Sequence, residues 1–224
     1  MNFVVILSAL LIVYSSTVQL VPAFNALYVP IGLVATASLW LWARRVGLTA
    51  DDVGLDPSTR RTGLIAGGIV AATAGVALTI AGATPALRSL FEDARLADIG
   101  PGLIAYRALI RIPEGTALLE EFAFRGVLLA AWRRVSGKMW AAIGSSVVFG
   151  FWHVRPALDL LDANELATGT MSRLLFVSGA VAGTTIAGLF FAWLRLRTES
   201  LYAPFLAHAS INSVALVVAA VATG

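Results

Sequence analysis

Apolar runs of membrane-crossing length, separated by short polar connections, leave this chain few ways to fold. A helix needs roughly 17–25 mostly apolar residues to cross a bilayer. Runs of that order occur at residues 3–21, 26–42, 63–83, 113–132, 139–153, 174–194 and 201–222. A further stretch, 102–112, reads either as an extension of the fourth run or as a separate insertion. The expectation is about seven spans, with an eighth if that stretch inserts alone. In lipid every backbone polar group must be satisfied internally, so only helices and closed barrels cross it. Runs this long favour helices. The predicted fold is all-α: a polytopic transmembrane helical bundle forming one membrane-embedded domain over 1–224. Residues 1–100 supply N-terminal spans and 101–224 a core that carries the chemistry.

Composition agrees. The chain is 58% hydrophobic and 13% charged, against about 25% charged in soluble domains. That excludes a water-soluble globule. The net charge of +3 does not indicate a nucleic-acid partner, because the arginines sit between apolar runs, where membrane topology accounts for them. There is no cysteine, which removes disulfides, thiolate catalysis and cysteine metal sites.

Alternating spans put Arg44, Arg45, Arg60, Arg61, Arg133, Arg134, Lys138, Arg195 and Arg197 on one side. Arg88, Arg95, Arg107, Arg111, Arg155 and Arg173 fall on the other. Basic residues prefer the cytoplasmic side, so the expectation is a multi-pass protein of the cell membrane with a cytoplasmic N-terminus. Residues 45–61 read as an exposed loop, 84–101 as an interfacial turn or helix, and 156–170 as a polar insertion able to form a lid.

Charge inside the apolar runs is the informative exception. Glu120 and Glu121 are adjacent within Ala-Leu-Leu-Glu-Glu-Phe-Ala-Phe-Arg, and the chain's two histidines, His153 and His208, both lie in apolar runs. A charged side chain at mid-helix costs ~2.5–3.5 kcal/mol on insertion scales, so two need compensation. Helical spacing offers some. Glu121 and Arg125 are i,i+4 and can pair on one face, while Glu120 projects about 100° away. Phe149 and His153 are also i,i+4, as are His208 and Asn212.

Three helices thus offer carboxylate, imidazole and carboxamide to a common interior. A desolvated carboxylate is suited to general base or acid work. It can activate water with His153, or Glu120, His153 and His208 can hold a divalent metal such as zinc. His208 and Asn212 can stabilise an oxyanion, or serve as interhelical hydrogen-bond glue. Arg125 reads as the partner of Glu121, and Phe149 as packing. No His-Glu-x-x-His, Gly-x-Ser-x-Gly or Gly-x-Gly-Asp pattern supports another class of intramembrane protease. Two rival classes are a proton-coupled transporter, since buried Glu and His also relay protons, and a non-catalytic scaffold or immunity protein.

The series Glu120-Glu121-x-x-x-Arg125, Phe149-x-x-x-His153, His208-x-x-x-Asn212 resembles the three-motif signature of the CPBP family. These are the CAAX-prenyl-protease-like and bacteriocin-processing-like intramembrane proteases, also called ABI proteins. The resemblance covers 113–221 and implies an endopeptidase with its site in a cavity within the bilayer. Its substrate would be a membrane-associated or C-terminal CAAX-like peptide, prenylated in some members. Glu120 would activate water with His153, Glu121 and Arg125 would hold the electrostatics and helix register, and His208 and Asn212 would stabilise the oxyanion. Zinc dependence and a metal-free Glu/His mechanism both stay open. The first three spans are expected to contribute membrane character only.

One tension follows from seven straight spans. Glu120 and His153 lie toward one face of the bilayer and His208 toward the other. They meet only if the Glu helix starts deeper, or if the turn at 197–204 dips inward at Pro204.

Overall fold

Among the described residues each apolar run forms a helix. The computed structural model describes residues 2–18 and 26–224. The predicted end of the first run, at 19–21 before Pro22, lies outside the described residues. Among the described residues α1 is Asn2–Val18, α2 Tyr28–Arg45 and α3 Arg60–Ala83. Next comes one unbroken helix over 101–136, here α4, which stops where Gly137 adopts φ 78° and ψ 175°. The stretch 102–112 is therefore an extension of the fourth span. α5 covers 138–152, and Val154–Ala163 is α6. α7 is Thr170–Thr198 and α8 Tyr202–Thr223. There is no strand among the described residues. The chain is an all-α polytopic membrane bundle, and α3, α7 and α8 are each long and apolar enough to cross a bilayer.

The connections collect at two opposite ends, as alternating crossings require. At one end Arg134 donates to the carbonyl of Gly47 (2.7 Å) and to Asp52 (2.9 Å), and Arg195 donates to the carbonyl of Asp52 (3.0 Å). At the other, Ala94 N–H donates to Asn164 (2.7 Å) and Asp93 N–H to Thr223 (3.0 Å).

Two connections differ from expectation. Residues 45–61 are not simply an exposed loop: Leu48 and Val53 are buried in the core, and Val53 packs at Gly126. These apolar side chains alternate with acids that face water, so the segment folds inward on one face. The polar insertion begins as helix α6, leaving only its second half as loop.

The inward fold also settles the depth problem. Leu201 N–H donates to the carbonyl of Gly54 (2.8 Å), and Ser200, Leu201, Ala203 and Pro204 are all buried. The turn before α8 therefore sits inside the bundle rather than on its surface. His208 starts deep enough to reach α4.

Close backbone approach brings α2 against α4. A Cβ on Gly32 would lie 2.8 Å from the carbonyl oxygen of Gly115, so only glycine tolerates this crossing. Small residues serve this purpose widely in membrane helices.

Candidate active site

Glu120 and Glu121 sit on a short α-helical segment, Leu118–Glu121, between two π-helical stretches, Arg107–Ala117 and Phe122–Leu128. Pro113 supplies one physical cause. It has no N–H for the usual ladder, and the Leu118 N–H donates five residues back, to the carbonyl of Pro113. Such wide turns are rare and occur often at functional sites.

The two carboxylates face different neighbours. Glu121 is fully buried and pairs with Arg125 (Nη1 to Oε1, 3.1 Å) and with His208 (Nδ1 to Oε1, 2.7 Å). Arg125 lies in an aromatic box: its guanidinium carbon is 4.0 Å from the Phe149 ring centre and 5.2 Å from that of Phe191. Phe191 in turn stacks on His208 at 5.1 Å. Cation–π contact and the Glu121 charge together offset the desolvation of the guanidinium. Phe149 is thus a wall of this box.

Glu120 is 5% exposed. Its Oε1 accepts from the indole N–H of Trp152 (3.1 Å), while its Oε2 has no hydrogen-bond partner among the described residues. His208 Nε2 is 3.8 Å from that oxygen, too far for a hydrogen bond. A buried carboxylate oxygen without a donor is costly. Glu120 borders a cavity of about 210 Å³ lined also by Thr116, Leu119, His153, Pro156 and Asn212.

His153 stands where α5 ends and the chain bends into α6. Its Nδ1 is 2.8 Å from the Phe149 carbonyl oxygen, which can only accept, so Nδ1 carries the proton. Nε2 then keeps its lone pair. By the same logic His208 Nδ1 donates to Glu121, and its Nε2 accepts from Asn212 Nδ2 at 2.9 Å. Asn212 has a second N–H and lines the cavity.

All the residues singled out in the sequence therefore converge, but in two tiers. Glu120, His153 and Asn212 line the cavity. Glu121, Arg125, Phe149 and His208 form the buried layer behind it.

A divalent metal needs convergent free ligands. Among the described residues no three His, Cys, Asp or Glu side chains are grouped to hold one. Both His208 nitrogens are engaged, by Glu121 and Asn212. In this arrangement the set Glu120, His153 and His208 does not fit a metal ion.

Three contributors escaped the sequence reading. Trp152 binds Glu120, and Tyr14 and Tyr28, from α1 and α2, line the cavity. Tyr28 also hydrogen-bonds Thr116 on α4 (3.1 Å). The first spans thus supply walls of the site and not membrane character alone. Polar-tipped aromatics within apolar runs were the available signal.

Comparison with known proteins gives one family. Residues 105–214 match the family model described as type II CAAX prenyl endopeptidase Rce1-like. No curated protein and no solved structure matches the chain.

Proposed function

The segment 105–214 belongs to the Rce1-like family of type II CAAX prenyl endopeptidases, and from that premise we propose that the chain hydrolyses a peptide bond of a membrane-associated substrate with water activated by Glu120. The single observation that carries this reading is Glu120 itself: buried, lining a polar cavity with His153 and Asn212, and with one oxygen, Oε2, that has no hydrogen-bond donor among the described residues.

The chemistry follows from the available atoms. Glu120 Oε2 takes a proton from a water whose other hydrogen is held by His153 Nε2. The water oxygen bonds to the scissile carbonyl carbon, and the C=O electron pair moves onto oxygen. The free N–H of Asn212 stabilises that oxyanion. As the C–N bond breaks, Glu120 returns its proton to the leaving nitrogen, and carboxylic acid and amine products result. Glu121 and His208 act through Asn212: they fix the imidazole tautomer that aims the carboxamide. No step is routed through a metal, because the ligand set does not fit one.

The basic-residue bias supports a cell-membrane reading with the N-terminus cytoplasmic. Tyr14 and Tyr28 lie near the ends of α1 and α2 that face the 84–101 and 154–173 connections. The cavity is skewed toward that non-cytoplasmic end, which favours a membrane-anchored peptide presented there over a cytosolic CAAX terminus.

The test uses full-length protein in liposomes with lipid-anchored and prenylated fluorogenic peptides. Wild type should cleave, and Glu120→Gln should abolish cleavage while keeping its fold and peptide binding. A Glu120→Gln variant as active as wild type would sink the reading. Proton-linked flux without cleavage would support a transporter instead.

A further inference from the structure

We infer that α1, outside the family-matched segment, belongs to the catalytic centre: Tyr14 stacks on Trp152 and holds its indole N–H on Glu120 Oε1, leaving Oε2 as the oxygen with no donor among the described residues. This rests on the reading of Glu120 as the base.

The contacts form a continuous chain across three helices. The Tyr14 and Trp152 rings stack at 5.6 Å with their planes 17° apart. On another side, the edge-on ring of Phe124 meets the indole at 5.4 Å. The indole is thus held by α1 and α4 while its own backbone is the last turn of α5. Its N–H lies 3.1 Å from Glu120 Oε1.

Indole nitrogen only donates, so this contact has one polarity. A donated hydrogen bond draws charge density to Oε1 and fixes the carboxylate plane. Oε2, with no donor of its own among the described residues, is the oxygen left to take a proton. Interfacial tryptophans usually put their N–H among lipid headgroups. Trp152 is only 6% exposed and turns its N–H to a carboxylate instead. Trp152 and His153 are consecutive at the α5 bend, so the same bend supplies the group that orients Glu120 and the group that holds the water.

Trp152 and Tyr14 are positioning residues under this assignment. In liposomes, Trp152→Phe should lower kcat roughly ten- to a hundredfold with KM within about twofold, the scale expected for misplacing a catalytic group. Tyr14→Leu should lower kcat in the same direction, and Tyr14→Phe, which keeps the ring, should recover most of that loss. A second readout needs no turnover. The ultraviolet resonance Raman signature of the Trp152 N–H, identified by difference from Trp152→Phe, should move toward the free form in Glu120→Leu and Tyr14→Leu, and not in Tyr14→Phe.

Wild-type kcat in Trp152→Phe, alongside a dead Glu120→Gln, would overturn the inference and leave the endopeptidase reading intact. A rise in KM alone would also overturn it, reducing Trp152 to a wall. If wild type cleaves nothing, the endopeptidase reading fails, and the Raman arm still decides whether Tyr14 holds Trp152 on Glu120.

Discussion

His208 Nδ1 lies 2.7 Å from Glu121 Oε1, joining α8 to α4 across 87 residues of sequence. Glu121 thereby holds Arg125 on its own helix and His208 on another with one oxygen atom. Five expectations can be measured, beginning with the ion pair on Glu121.

Removing Arg125 leaves Glu121 buried with only an imidazole for company. Arg125→Met should destabilise the protein by ~3–5 kcal/mol, the scale for breaking a buried ion pair. The double variant Arg125→Met/Glu121→Gln should be more stable than Arg125→Met, because the uncompensated charge is gone. Denaturation midpoints in detergent check both, and an unchanged midpoint for Arg125→Met would refute the pairing.

Asn212 offers one N–H to the cavity. Asn212→Ala should reduce kcat by about 10²–10³ with little change in KM, as expected for losing one oxyanion donor. An increase confined to KM would assign Asn212 to substrate binding.

Metal removal should leave cleavage unchanged, since both His208 nitrogens are engaged by protein partners. Exhaustive chelation followed by assay, with metal content measured in parallel, provides the check. Loss of activity restored specifically by zinc would show that His208 leaves Glu121 and Asn212 in the working enzyme.

Asp52 sets an acid-side dependence outside the membrane. Burial raises its pKa, but hydrogen bonds from the Thr49 N–H and hydroxyl, and then Arg134, outweigh that and leave it lowered. A lowered folded-state pKa stabilises the protein above the ordinary carboxylate range, and the benefit is lost as pH falls through the folded value. Wild type should therefore be more stable than Asp52→Asn at neutral pH, and the gap should close in acid. The pair is partly exposed, so the gap should be small and shrink with added salt. A pH-independent gap would exclude Asp52 as the cause.

The absence of native cysteine makes sidedness directly measurable. A single cysteine at Pro156, on the cavity wall, should react with an impermeant reagent added outside intact cells. One at Arg134, at the opposite end, should react only after permeabilisation. The reverse pattern would put the cavity on the cytoplasmic side and restore a cytosolic CAAX terminus as the favoured substrate.

Local spacing carried much of this site. Glu121 with Arg125, Phe149 with His153, and His208 with Asn212 are each one helical turn apart, and every one of these pairs is in contact. The geometry of a single helix guarantees such neighbours whatever surrounds it. Contacts between helices had no such guarantee. Nothing in the spacing chose His208 as the partner of Glu121, or put Tyr14 on Trp152.

The sequence by itself determined the solvent, the all-α architecture and the helices that bear the reactive groups, because hydrophobic length and helical period are local properties. Only the tertiary structure decided which carboxylate faces the cavity and which is buried behind it. That choice depends on helix rotation and depth. Both are set by the Gly32–Gly115 crossing, by the inward fold of Leu48 and Val53, and by the buried turn at Ser200–Pro204. These are packing contacts between distant segments, whose free energy no single stretch of chain encodes.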